Sequence, residues 1–517
     1  GDMKCNIGDL LRRRATVSPD LEAIVDLDAG KRFSYAELNG RVDAMCHALA
    51  DAGVGNGDRV ALLMYNCVEF VDCFYAAAKL GAVTVPLNWR LVADELAFIL
   101  KDSGASLLVF GSDFAEAAAD IHGRGAEATD VTRWIEVGDA RQGQSWSVPY
   151  DDLLGAGKAL ESEIAAFDDD LAFIMYTSGT TGLPKGAMHS HATAFGALWN
   201  VLATIDLRER DRYLIVLPLY HVGALTPLMS NLYCGASVTL MRQFDPAGMW
   251  ETIESERITT TIAVPAMLNF MLSVPGLEAR DITALRAIMS GASPVPVALI
   301  EQYFRIGIEI HQVYGLTESG GPGCYLGGAD AMAHAGSAGR GYLMTDVRVV
   351  DADGNDVAPG EPGEVLLRGD HNMLGYWNRP EATAETLRDG WLHTGDVAIR
   401  DQDGFVTIHD RIKDVVISGG ENVYPAEVEN VLLQHPDVAD VAVIGQQSAA
   451  WGECTFAVVV RRNDAVQEAD ILAFCDGKMA RFKVPKAAAF VDEIPRNPTG
   501  KPLKRVLREQ FPGPAPE

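Results

Sequence analysis

Tyr176-Thr177-Ser178-Gly179-Thr180-Thr181-Gly182-Leu183-Pro184-Lys185-Gly186 is the stretch on which the reading of this chain turns. An apolar run over 171–176 precedes it and reads as a strand. Two glycines free the backbone N–H groups to turn inward, four neighbouring hydroxyls stand beside them, and Lys185 adds a charge. Together these make a cradle for a polyphosphate. It is not a Walker A loop, which needs Gly-Lys-Ser/Thr, because Pro184 precedes Lys185 and Gly186 follows it.

Outward from the cradle, strand-like and helix-like segments alternate. Leu38, Val42, Met45 and Leu49 recur at helical spacing within 36–53. Residues 59–64 then read as a strand, 67–80 as a helix and 82–87 as a strand, a βαβ order. After the cradle the spacing predicts helices over 192–204 and 247–257 and strands over 213–217 and 260–264. The expected fold is α/β, with parallel sheets covered by helices in a large N-terminal region. From about residue 345 short runs divided by turn signals predict a small antiparallel β subdomain. Beyond Asp410 a helix over 426–433, a strand over 441–444 and a helix over 469–479 predict a small α+β unit. The expected division is 1–410 and 411–517.

The 517 residues are 48% hydrophobic and 22% charged, which fits a globular chain and excludes whole-chain disorder, collagen or coiled coil. Forty-three Lys and Arg against 71 Asp and Glu give a net charge of −28, so nucleic acid is not an expected partner. Against that acidity, residues 478–508 carry nine basic residues and two acidic ones, net +7, a place for a polyanionic small molecule. No apolar run reaches membrane-spanning length, and residues 1–30 lack the pattern of a secretory signal. A cytoplasmic protein is expected, with Arg12-Arg13-Arg14 on a solvated helix face rather than against a membrane. The eight cysteines show no CxxC and no zinc spacing, and are expected to be reduced.

Several further motifs stand in order along the chain. These are Tyr314-Gly315-Leu316-Thr317-Glu318, His393-Thr394-Gly395-Asp396, Asp410-Arg411-Ile412-Lys413-Asp414, Ser418-Gly419-Gly420-Glu421-Asn422 and Pro498-Thr499-Gly500-Lys501. With the cradle they resemble the adenylate-forming superfamily of acyl- and aryl-CoA ligases, peptide-synthetase adenylation domains and luciferases. The resemblance spans essentially the whole chain and is greatest to bacterial medium- and long-chain fatty-acyl-CoA ligases.

The resemblance implies an ATP-dependent acid–CoA ligase. Thr177, Ser178, Gly179, Thr180, Thr181 and Lys185 would hold the phosphates of ATP. Tyr314 and Gly315 with Gly291-Ala292-Ser293 would flank adenine, and Asp396 and Arg411 would meet the ribose, since a carboxylate can accept two hydroxyls. Glu318, with Thr317 and Thr177, would serve Mg²⁺, a cation that prefers hard oxygen donors and substrate phosphates. Lys501 would bridge the carboxylate and the α-phosphate. Lys413 would be the hinge of a mobile C-terminal domain, whose Ser418, Gly419 and Gly420 would receive coenzyme A.

For the acid itself, Pro218-Leu219-Tyr220-His221 resembles the family's acyl-site motif. His221 would be a gate or wall, with Gly223, Ala224 and Val264 lining the site. Val222, Leu225, Met229, Phe195 and Trp199 would add apolar surface, with no carboxylate to meet an amino group. A fatty acid is expected as substrate; a cinnamate- or benzoate-type acid, or the loading of a carrier protein, stays open. Self-association stays open as well.

Overall fold

The computed structural model describes residues 4–138, 144–158, 160–178, 183–291, 295–411, 414–495, 502 and 504–513; the side chains of 178, 409–411, 426 and 430 are also outside the described set. Two mixed sheets form the bulk of the N-terminal region. In the first, Leu171–Ser178, Val83–Pro86, Arg59–Leu63, Leu107–Gly111, Arg133–Val137 and Val148–Pro149 run parallel in that order. Pro184–Ser190 and Gly375–Tyr376 close one side antiparallel. In the second, Glu309–Tyr314, Ala287–Ser290, Thr260–Ile262, Arg212–Ile215, Ser237–Leu240 and Glu22–Asp26 are parallel, with antiparallel strands at both edges.

The expected βαβ unit is present as Arg59–Leu63, Val68–Leu80 and Val83–Pro86. The helix Tyr35–Asp51 buries Leu38, Val42, Met45 and Leu49 completely, the stripe that its spacing predicts. Its start is fixed by a reciprocal cap, in which the Ser34 hydroxyl accepts from the Glu37 N–H and the Glu37 carboxylate from the Ser34 N–H. Such a cap contributes about 1 kcal/mol. With Val68–Leu80, His191–Thr204 and Val222–Cys234 this helix contributes to one continuous core spanning both sheets.

The expected antiparallel subdomain is a five-stranded sheet of Asp346–Val350, Pro362–Arg368, Trp391–Arg400, Leu387–Arg388 and Val406–Arg411. The C-terminal α+β unit has its own sheet and its own core around Val416, Val428, Leu432, Val443 and Ile471. The strand expected over 441–444 extends to Val438–Ser448, because it pairs along its length with Gly452–Arg461.

The strand expected before the cradle pairs antiparallel with a strand that the sequence reading did not mark, Leu171–Ser178 with Pro184–Ser190. All eight cysteines are unpaired. Among the described residues no helix is long and apolar enough to cross a membrane.

Candidate functional site

A cavity of about 340 Å³ opens where the two large sheets, the five-stranded sheet and the C-terminal unit meet. At one end it is polar. Thr177 and Lys185 face each other across the Leu171–Ser178/Pro184–Ser190 ladder, and residues opposite each other in a ladder share a face, so both reach the cavity wall. The Lys185 ammonium lies 4.7 Å from the centre of the Tyr376 ring. Tyr314, Gly315, Thr317 and Glu318 line the same end. Asp396 reaches it from the five-stranded sheet, and the Tyr314 hydroxyl donates to the Asp396 carboxylate at 2.6 Å. Burial, with Asp396 adding to it, pushes the Tyr314 phenol far up, so it stays a donor. Arg411 pairs with Asp396 across the ladder, though its side chain is outside the described set.

Glycine is required where backbones close on this slot. A Cβ on Gly315 would stand 1.6 Å from the Gly321 carbonyl oxygen, and one on Gly291 would stand 2.8 Å from that of Val313. Both glycines line the cavity.

Two buried histidines fix the segment that carries Glu318. His189 Nε2 donates to the Thr317 carbonyl at 2.7 Å, and His371 Nδ1 to the Ser319 carbonyl at 2.7 Å. The opposite ring nitrogens meet the hydroxyls of Thr193 at 3.0 Å and Thr345 at 2.8 Å. Burial pushes both histidines down to about 4, so each ring is neutral, with one donating and one accepting nitrogen. Neither residue stands out in the sequence, since an isolated histidine in an apolar strand or loop carries no spacing signal.

The mouth of the cavity is where the C-terminal unit docks. Gly419 and Gly420, both at positive φ, line it, and a Cβ on Gly420 would meet Val264 at 3.2 Å. The neighbouring Glu421 is buried and accepts from His221 Nε2 at 2.9 Å, the Tyr220 hydroxyl at 2.6 Å and Asn88 Nδ2 at 3.2 Å, with Arg90 at 3.7 Å. Burial alone would raise this carboxyl; His221, Arg90 and Tyr220 outweigh it and hold it at about 2. Glu421 sits inside the quoted Ser-Gly-Gly-Glu-Asn motif, yet its role needs the fold, because its partners lie some 200 and 330 residues away. Ser418 is buried on the strand Val416–Ser418 and does not reach the cavity.

The far end is apolar. Val201, Ile205 and Leu207 supply one wall, and Ile262, Met289 and Tyr342 supply another. Gly223 and Val264 line the cavity as expected, whereas Ala224 and Met229 pack into the core behind it. Phe195 also goes to the core and Trp199 is 42% exposed; the cavity meets the last turns of that helix instead. Gly179, Thr180, Thr181, Ala292, Ser293, Lys413 and Lys501 lie outside the described residues, as does the side chain of Ser178.

The AMP-binding enzyme model matches residues 11–377, and the model of the AMP-binding enzyme C-terminal domain matches residues 427–501. The long-chain-fatty-acid–CoA ligase FadD13 of Mycobacterium tuberculosis is 44% identical over 512 residues, 99% of this chain and 100% of that one. The feruloyl-CoA synthase of an Amycolatopsis species is 40% identical over 501 residues, 96% and 98% of the two chains. Among solved structures, the o-succinylbenzoate CoA synthetase of Bacillus subtilis bound with a product analogue matches with a TM-score of 0.85 at 30% identity, covering 98% of this chain and 99% of that one. A cavity wall that carries Thr177, Lys185, Glu318 and Asp396, an apolar lining beside them and matches of this length together make the chain a member of the AMP-binding enzyme family, an acyl-CoA synthetase of the adenylate-forming superfamily and an AMP-forming acid–CoA ligase.

Proposed function

We propose that the chain activates a fatty acid as its acyl-adenylate and transfers it to coenzyme A. The observation that carries this is one cavity, polar at Thr177, Lys185, Glu318 and Asp396 and apolar from His221 inward. The carboxylate oxygen bonds to the α-phosphorus of ATP, and the bond to the pyrophosphate breaks. Lys185, Thr177 and the 179–182 loop hold the departing phosphates. Tyr314, Gly315 and the 291–293 segment hold adenine, Asp396 and Arg411 the ribose, and Lys501 the two anions as they approach.

Among the described residues no group of three or more His, Cys, Asp or Glu could hold a metal ion. Glu318 and Thr177 on the cavity wall instead suit a cation that completes its shell with phosphate oxygens, and they fit Mg²⁺. Bound there, Mg²⁺ would neutralise developing phosphate charge.

For transfer, the thiol of coenzyme A attacks the acyl carbonyl and AMP leaves. Gly419 and Gly420 form the path for the pantetheine, with Ser418 anchoring their strand and His221 as its gate. Residues 1–410 and 411–517 act as two units, with Lys413 as hinge and the basic 478–508 stretch toward the phosphates of coenzyme A. An aromatic acid is the second reading, favoured by the 40% identity to a feruloyl-CoA synthase.

The test is pyrophosphate release with Mg-ATP, with and without coenzyme A, over acids from acetate to palmitate plus benzoate and cinnamate. The reading expects thioester formation to peak on aliphatic acids and to be lost in Lys501→Ala. Release without thioester would move the assignment to carrier loading.

A further inference from the structure

The strand Trp391–Arg400 breaks register where it carries Asp396. It pairs with Pro362–Arg368 at His393–Leu366 and again at Val397–Glu364, so Val365 alone stands opposite Thr394, Gly395 and Asp396. A bulge of this kind bends its strand and re-aims a side chain, and such bulges gather beside active sites. Its middle residue, Gly395, has φ +74°, a backbone that favours glycine. Thr394, Gly395 and Asp396 all line the cavity.

Bulged residues lose ladder partners for their backbone groups, and other groups must take their place. Two side chains do so here. The Thr394 hydroxyl donates to the Val365 carbonyl at 2.7 Å and accepts the Asp396 N–H at 3.1 Å. The Glu364 carboxylate accepts the Gly395 N–H at 3.0 Å through one oxygen. Its other oxygen meets His393 Nδ1 at 2.9 Å, and the Arg388 guanidinium lies 2.9 Å from that same nitrogen. Glu364 therefore grips the chain at His393 and at Gly395, the residue before Asp396, while not lining the cavity itself. Tyr314 holds the Asp396 carboxylate from another element.

We propose that Glu364 is a positioning residue for nucleotide recognition: from the neighbouring strand it fixes the bulge that aims the Asp396 carboxylate at the ribose hydroxyls. A carboxylate accepts two hydroxyls only when its plane is held, and a supporting shell of hydrogen bonds is what holds it. Without Glu364 the Gly395 N–H loses its acceptor and the bulge relaxes; a displacement of about 1 Å is enough to spoil such a contact. This rests on the reading of Asp396 as the ribose acceptor, and it deepens that reading by naming the group that sets its aim.

The experiment measures equilibrium Kd for ATP, 2′-deoxy-ATP and 3′-deoxy-ATP on the full chain, comparing wild type with Glu364→Leu, Glu364→Gln, Asp396→Ala and the double variant Glu364→Leu/Asp396→Ala. The wild type is expected to favour ATP over at least one deoxy analogue on the order of tenfold, the discrimination of a site built to pair with a hydroxyl. Glu364→Leu should lose most of that ratio, and the double variant should bind ATP no more weakly than Asp396→Ala alone. Glu364→Gln, whose amide oxygen can still accept the Gly395 N–H, should keep most of it. Damage to the fold at large would weaken ATP and its deoxy analogues alike and leave the ratio unmoved. Should Glu364→Leu not fold, Glu364→Thr, which suits a strand and is too short to reach Gly395, makes the same comparison. A ratio unchanged by loss of the Glu364 carboxylate, or losses that add fully in the double variant, overturns the proposal. A wild type without preference, or an Asp396→Ala variant that keeps the wild-type preference, overturns the ribose reading of Asp396 and the proposal with it.

Discussion

His221 and Glu421, 200 residues apart, meet at 2.9 Å across the mouth of the cavity, tying the acyl-site motif to the loop of the C-terminal unit. Removing one partner of a buried, hydrogen-bonded charge costs about 3–5 kcal/mol, since the other partners lose their acceptor. Glu421→Ala is therefore expected to loosen this docking. Single-turnover kinetics should show acyl transfer from preformed adenylate slowed by about a hundredfold or more, the rate equivalent of that cost, with pyrophosphate release in the first step affected less. Equal loss in both steps would mean that the contact serves the fold alone.

A second tie joins the C-terminal unit to the N-terminal region. Lys483, 2% exposed, is paired with Glu95 of the helix Ala93–Ser103 and with Glu427 at 2.6 Å. Glu95 also accepts the Ala480 N–H at 2.8 Å. Lys483→Met would leave two carboxylates facing each other out of water and should destabilise the docked unit by about 3 kcal/mol. Lys101→Ala, which breaks the exposed pair with Asp130, should change stability by less than about 1 kcal/mol. Thermal melts and limited proteolysis of the two variants make the comparison.

Acid sensitivity follows from His189 and His371. Each is lowered by burial from 6.5 to about 4, so the unfolded chain takes up protons before the folded one does. Their contribution is fully present above pH 6.5 and is lost as pH falls toward 4, up to ~3 kcal/mol for each. Melting temperature should fall steadily across that window, and His371→Asn should flatten the fall while lowering stability at pH 7.

Tyr314 orients Asp396 through its hydroxyl. Tyr314→Phe keeps the ring for stacking and removes that donor, so ATP affinity should weaken about fivefold, whereas Asp396→Ala should weaken it by tenfold or more. Equilibrium binding of ATP reads both.

Periodicity was enough for the helix Tyr35–Asp51, whose apolar residues return on one face, and for the antiparallel texture after residue 345. It could not reveal that the cradle closes a hairpin, because the pairing of 171–178 with 184–190 is set by tertiary hydrogen bonds. Local motifs marked Lys185, Glu318 and Asp396, which do converge on one cavity. They contained Glu421 without giving it a role and missed His189 and His371; the roles of all three rest on partners far away in the chain. The choice of Phe195 and Trp199 as lining failed for a related reason: only the rotation of their helix decides which turn meets the cavity, and that turn carries Val201 and Ile205.

The most direct test of the central claim uses an acid labelled with ¹⁸O in its carboxylate, turned over with Mg-ATP and coenzyme A. The account predicts one labelled oxygen in the AMP released, since the carboxylate oxygen that bonds to the α-phosphorus stays with the nucleotide when the thiol takes the acyl group. Unlabelled AMP, or label recovered in inorganic phosphate with ADP as the product, would contradict it.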